Sequence, residues 1–218
     1  MSMRRVILFT RFERFWHWSQ MTLIFVLLFT GFAIHGTHAW LAFDQAVVLH
    51  TLSALALMVL WVFAIFWHLT TGTWRHYLPT RNGLLKVARY YAWGIFKGEH
   101  HPYRKTYQRK HNPLQALAYL GLKLLLFPAI WISGLLYLFY PLWSQAAPNS
   151  HWLESVAIVH IIAAFAILVF IIAHIYLLTT GHSFKAHLMP MVTGYDDVEL
   201  SDAEAHYLEQ DKPQQIKP

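Results

Sequence analysis

Charged residues are absent from four long stretches of this chain: Phe15 to Phe43, Gln45 to Trp74, Leu124 to Leu153 and Ser155 to Phe184. A membrane-spanning helix needs about 20 mostly apolar residues, and soluble helical bundles do not carry charge-free runs this long. The pattern predicts four transmembrane helices, near residues 15–35, 47–70, 114–138 and 154–178. The expected fold is an all-α, four-helix membrane bundle covering residues 1–195, followed by a polar cytoplasmic tail, 196–218.

The segments between the spans carry their own signals. The loop over residues 71–112 is long, and its "RNGLLKVARYYAWGIFKG" mixes Leu, Tyr, Trp and Phe with Lys and Arg. That mixture predicts an amphipathic helix lying in the membrane interface. "HNPLQ" then opens the third span, with Asn112 suited to an N-cap and Pro113 to the first helical position. Pro128 predicts a kink in that helix, which membrane helices tolerate. "YPLWSQAAPNSHW" connects spans three and four, its Trp and Tyr suited to an interfacial belt. The tail is acidic with late prolines and is expected to lie on the surface at first and be disordered at its end. No internal repeat or second domain is evident.

Composition sharpens this picture. Hydrophobic residues make up 56% of the chain and charged residues 13%, against about 25% charged in a soluble domain. The first apolar run is too long for a cleaved signal peptide. There is no cysteine, which removes disulfides, thiolate-bound iron–sulfur clusters and covalent haem attachment through a CxxCH pair. The net charge of +6 comes from basic residues beside the spans. Arg4, Arg5, Arg11 and Arg14 precede the first, nine Lys and Arg lie in the 71–112 loop, and Lys185, Lys212 and Lys217 follow the fourth. The other two connections carry none. By the positive-inside rule both termini and the long loop are cytoplasmic, and the basic charge reflects topology rather than nucleic-acid binding.

Fifteen histidines stand out. His100, His101, His111, His151, His182, His187 and His206 fall in loops and flanks and are expected to face water. His17, His50, His68, His160 and His174 fall in the spans. Polar groups inside a bilayer are costly and face the bundle interior. His160 and His174 are 14 residues apart, a rise of about 21 Å with nearly whole turns, so they share a face at two depths. His17 begins the first span and His50 begins the second, at the opposite side. Two pairs follow, His17 with His174 on the inner side and His50 with His160 on the outer. Two neutral imidazoles from different helices at one depth suit the axial positions of a haem b iron. Zinc would want three or four ligands at one depth, and a proton relay would want closer spacing. A non-redox anchor or transporter, with these histidines in packing or proton roles, is the remaining reading of the pattern.

Four further positions stay open between readings. Gly31 and Gly134 let a macrocycle edge approach the backbone, or they serve close helix packing. His68 lies 18 residues after His50, on the same face about 27 Å deeper. It is an alternative inner ligand, a polar interfacial group, or a proton or quinone contact. Lys123, inside the third span, either snorkels or pairs with a haem propionate or a quinone proton path.

"RFERFWHW" with His17, "VVLHTLSALAL" with His50, "KHNPLQ", and "VH" followed 14 residues later by "HIY" together carry a resemblance. Over residues 4–195 the chain resembles the di-haem cytochrome b membrane subunits of formate dehydrogenase (gamma type) and nickel–iron hydrogenase, within the respiratory cytochrome b561 superfamily. The resemblance implies His50 and His160 as outer haem ligands, His17 and His174 as inner ones, and a quinone site by the inner haem with Asn112 beside His174. It implies an electron-transfer subunit of the bacterial inner membrane. Two haems b would link an extracytoplasmic iron–sulfur, flavin or multihaem c partner to menaquinone or ubiquinone near the cytoplasmic face. Small stand-alone superoxide:quinone oxidoreductases of the same superfamily resemble the chain in histidine pattern and form the alternative.

Overall fold

The computed structural model describes residues 2–103, 106–107, 110–145, 151–179 and 184–216. His182, Arg104, Lys105, Arg109 and Lys217, all weighed above, lie outside these. A strand, β1 (Ser2–Ile7), leads into α1 (Arg11–Ile34) and α2 (Phe43–Thr71). The loop carries α3 (Leu84–Ala92), and α4 (Pro113–Leu138) and α5 (His151–Thr179) complete the long helices. Then come α6 (Phe184–Thr193), β2 (Tyr195–Leu200) and α7 (Asp202–Asp211). Four helices, α1, α2, α4 and α5, are long and apolar enough to cross a membrane. Val59 and Phe66 on α2, Leu125 on α4, and Ile162 and Val169 on α5 are exposed. Apolar surface this extensive is unfavourable in water and is what lipid covers.

Local chemistry fixes the helix starts. Thr10 and Glu13 form a capping box at α1: Glu13 N–H donates to Thr10 Oγ1 at 3.3 Å and Thr10 N–H to Glu13 Oε2 at 2.8 Å. Asn112 caps α4 in the same reciprocal way with Gln115, at 2.8 and 3.2 Å. Pro128 has no N–H to bond the carbonyl four residues back, and its ring crowds that carbonyl. The residues just before it, Leu122–Leu126, form a π-helical turn, the local widening that absorbs such a mismatch. The irregularity expected from Pro128 is therefore this turn, and it carries Lys123.

The chain divides into two compact units. The first comprises Met1–Ser19, Trp61–Ala118 and Leu177–Pro218. Here the structure departs from the sequence-based expectation. The ends of the chain form a two-stranded antiparallel sheet, β1 on β2, in register from Ser2 opposite Leu200 to Ile7 opposite Tyr195. Alternate residues Val6, Leu8, Val198 and Leu200 point to one face, where Leu208 of α7 closes over them; all five are at most 2% exposed. Ser201 and Glu204 form the capping box that starts α7. The tail is thus folded through Ile216, where disorder was expected, because its apolar residues have a partner in β1. The border between residues 195 and 196 falls inside the paired stretch that β2 makes with β1.

Gly194 makes the turn into β2. Its φ is +89°, and a Cβ there would lie 2.7 Å from the Phe9 carbonyl oxygen. That carbonyl is backbone and cannot swing away. Gly194→Ala is expected to cost about 1–3 kcal/mol, read as a lower thermal midpoint in detergent. An unchanged midpoint would contradict this account of the turn.

The same unit holds a buried ion pair. Lys110 Nζ donates to both oxygens of Glu13, at 2.7 and 3.0 Å, and Tyr77 OH donates to Oε1 at 2.8 Å. Glu13 is 2% exposed and Lys110 6%. The pair ties the start of α1 to Lys110, three residues before α4. Earlier in the loop, α3 buries Val87 and Tyr90 while Leu85 and, just past the helix, Trp93 and Phe96 stay exposed among Lys86, Arg89 and Lys97. This is the amphipathic helix expected of the loop.

Candidate functional site

The second unit comprises Gln20–Leu60 and Tyr119–Tyr176. It brings His50 of α2 and His160 of α5 together, with ring centroids 6.3 Å apart and planes at 60°. A ring nitrogen sits about 1 Å from its ring centre and a metal–imidazole bond is about 2 Å. Two imidazoles on opposite sides of one metal therefore place their centroids roughly 6 Å apart, and this pair has that spacing.

The neighbours of the two rings decide which nitrogen is available. Thr30 Oγ1 lies 2.9 Å from His50 Nδ1, and Ser133 Oγ lies 2.9 Å from His160 Nδ1. Each hydroxyl has a single proton. Thr30 donates its proton to the Val26 carbonyl at 2.8 Å, and Ser133 donates to the Ala129 carbonyl at 2.6 Å. Each hydroxyl therefore accepts from the histidine, so Nδ1 carries the ring proton and Nε2 keeps its lone pair. Two neutral imidazoles, each with a free Nε2 lone pair, are the donor set a haem b iron requires. Thr30 is fully buried and Ser133 3% exposed.

A glycine follows each hydroxyl residue. A Cβ on Gly31 would lie 3.5 Å from His50 Cε1, and one on Gly134 3.3 Å from His160 Cε1. The nearest neighbour of each glycine is thus the histidine ring of the next helix, a close helix-to-helix approach of the kind expected of these two positions. Sequence reasoning found the glycines and missed Thr30 and Ser133 beside them. The signal was present as "TG" in "LLFTGFAI" and "SG" in "WISGLLY". Tyr137 adds an edge contact to the His160 ring at 5.7 Å.

His174 lies 14 residues further along α5 in the same unit, with Phe170 stacked parallel at 6.1 Å and Tyr119 edge-on at 6.3 Å. His17 belongs to the first unit, on α1, with the Trp18 ring edge-on at 5.3 Å. The two residues of the expected inner pair thus belong to different units.

His68, also in the first unit, is 8% exposed. Its Nδ1–H donates to the Ala64 carbonyl at 2.6 Å, and the rings of Trp16, Trp67 and Tyr77 surround it at 5.2 to 5.3 Å. It is buried among aromatic rings rather than at an open interface. Asn112, 5% exposed, spends Oδ1 on the cap of α4 and donates from Nδ2 to Tyr91 OH at 3.2 Å. Burial pushes the Tyr91 phenol above its ordinary pKa. The N-cap role of Asn112 is therefore realised, and one Nδ2 proton is left over from these bonds. Of the loop histidines expected in water, His101 reaches Tyr91 OH at 3.2 Å and His111 packs on Tyr77 at 5.2 Å. Among the described residues no three or more His, Cys, Asp or Glu side chains gather in a metal-binding group.

Comparisons with known proteins point the same way. A family model described as Prokaryotic cytochrome b561 matches residues 8–194. The chain is similar to the protein of Escherichia coli (strain K12) designated as the cytochrome YdhU, with 34% identity over 200 residues, covering 88% of this chain and 74% of that relative. No solved structure matches it at a significant level.

Proposed function

Because the chain belongs to the prokaryotic cytochrome b561 family, and so is a haem b-binding, electron-carrying, multi-pass protein of the bacterial inner membrane, we propose that it holds two bis-histidine haems b and links an extracytoplasmic redox partner to the quinone pool. The observation that carries this reading is the His50–His160 pair, whose spacing and hydroxyl-fixed tautomers suit one iron. His17 and His174 form the second ligand pair. Haem b supplies a one-electron change of iron oxidation state at each site.

The residues of the chain set where that happens. His160 and His174 share α5 and are 14 residues apart, which separates the two sites by roughly 20 Å along the helix. By the positive-inside rule the basic residues beside the spans support a cytoplasmic side for both termini and for the loop between α2 and α4, and the His17–His174 site is then the inner one. Asn112 offers its remaining Nδ2 proton to a carbonyl of menaquinone or ubiquinone there. One quinone takes two electrons, delivered singly, and two protons. The partner is an iron–sulfur, flavin or multihaem c protein that meets the outer face; nucleic acid is not a partner.

A second reading gains from one observation. The tail buries its Val198, Leu200 and Leu208 against Val6 and Leu8 of the N-terminal segment, so the long tail does not by itself call for a docked subunit. That favours a stand-alone enzyme passing electrons from superoxide to quinone. The two readings separate on purification of the natural complex. A stoichiometric redox subunit supports the conduit, and a chain that purifies alone and reduces quinone with superoxide supports the other.

The quinone assignment has its own test. Short-chain quinol analogues should reduce the haem of the purified protein, and His174→Ala should slow that reduction at least tenfold while His160→Ala leaves the first electron transfer intact. Equal rates in the wild type and His174→Ala would contradict an inner quinone site.

A further inference from the structure

We propose that Thr30 and Ser133 are positioning residues for the iron held by His50 and His160, acting through the imidazoles to set both the electron richness of Nε2 and the plane of each ring. The inference rests on the ligand assignment of the preceding section and goes one shell further out.

Two unrelated segments of the chain build the same device. On α1, Thr30 and Gly31 face His50 of the next helix; on α4, Ser133 and Gly134 face His160 of the next helix. In each the hydroxyl oxygen is 2.9 Å from Nδ1, the hydroxyl proton goes to the carbonyl four residues back, and the glycine lets the ring lie against the backbone. Serine and threonine in membrane helices often back-bond to that carbonyl with no further role. Back-bonding does not explain why both hydroxyls meet a histidine nitrogen, nor why both are buried. A chain of carbonyl, hydroxyl and imidazole polarises along its length, so the bond at Nδ1 raises the basicity of Nε2. A more basic ligand favours ferric over ferrous iron and holds the potential down. The same two bonds fix the ring planes at 60°, and the angle between axial imidazoles governs the g-anisotropy of a low-spin ferric haem.

The test uses the full-length protein in detergent, with Thr30→Val, Ser133→Ala, and the conservative pair Thr30→Ser and Ser133→Thr. Haem content, midpoint potentials and ferric EPR spectra are recorded for each. The outer shell of a metal site commonly changes affinity by about 10- to 100-fold. If that change falls mainly on the ferric state, a tenfold effect moves a one-electron potential by about 59 mV. Thr30→Val and Ser133→Ala are each expected to raise one of the two potentials and shift its g-maximum, or to lose that haem, while the hydroxyl-retaining variants keep wild-type values. Loss of the haem or of the potential in the conservative variants too would overturn the proposal, since shape rather than the hydroxyl would then matter. Full haem content with unchanged potentials and spectra in Thr30→Val and Ser133→Ala would also overturn it. His50→Ala is the control on the underlying assignment. If it keeps every haem, the ligand reading fails, whatever the hydroxyl variants do.

Discussion

His160→Ala is expected to bind one haem where the wild type binds two. The imidazole supplies an iron–nitrogen bond, and alanine leaves nothing within reach of the vacated position. Tyr137 and Ser133 are the polar side chains nearest the lost ring, and neither replaces a neutral imidazole in a six-coordinate b-type site. His50 alone offers one imidazole where a bis-histidine site needs two. Pyridine haemochrome values should fall from two per chain to one, with the surviving haem carrying the potential of the His17–His174 site. His50→Ala should give the same count and the same survivor. Different survivors in the two variants would show that His50 and His160 do not share an iron.

The second large effect is on stability and comes from the other unit. Lys110→Met leaves Glu13 buried at 2% exposure without its ammonium partner, keeping the hydrogen bonds from Tyr77 and Thr10. Removing one member of a buried ion pair costs about 3–5 kcal/mol. For a chain of this size that lowers the thermal midpoint on the order of 10 °C. The double variant Glu13→Gln with Lys110→Met should recover most of the loss, because the isolated charge, rather than the missing bridge, is what destabilises the single variant. A midpoint unchanged in Lys110→Met would mean that water or another cation reaches Glu13.

These two sites differ in how legible they were. The spans follow from the absence of charge over long stretches, a property of composition that no tertiary contact can overrule. The His50–His160 pair follows from helix geometry, since a 14-residue spacing on one helix fixes two depths and each needs a partner. The sheet was hidden for the opposite reason. "SMRRVI" and "YDDVEL" are six residues each, lie almost 190 residues apart, and are rich in charge. Their apolar alternation makes sense only once they are paired, as does the opposition of Arg5 to Asp197. Thr30 and Ser133 were hidden because a hydroxyl in an apolar helix has a default partner in its own backbone. Nothing in the linear sequence says that its oxygen also accepts from a ring on the next helix. Asn112 was legible as a cap from "HNPLQ", while its bond to Tyr91 depends on how the loop folds back.

The haem b content of the wild-type protein tests the central claim most directly. The chain is purified in a mild detergent from cells supplied with ample haem, its folding is checked by circular dichroism, and pyridine haemochrome is measured against protein by amino-acid analysis. The account predicts two haems b per chain, visible as b-type bands in the dithionite-reduced minus oxidised spectrum. A folded protein with one haem would contradict the two-site conduit, and a folded, colourless one would leave His50 and His160 as packing histidines bonded to Thr30 and Ser133.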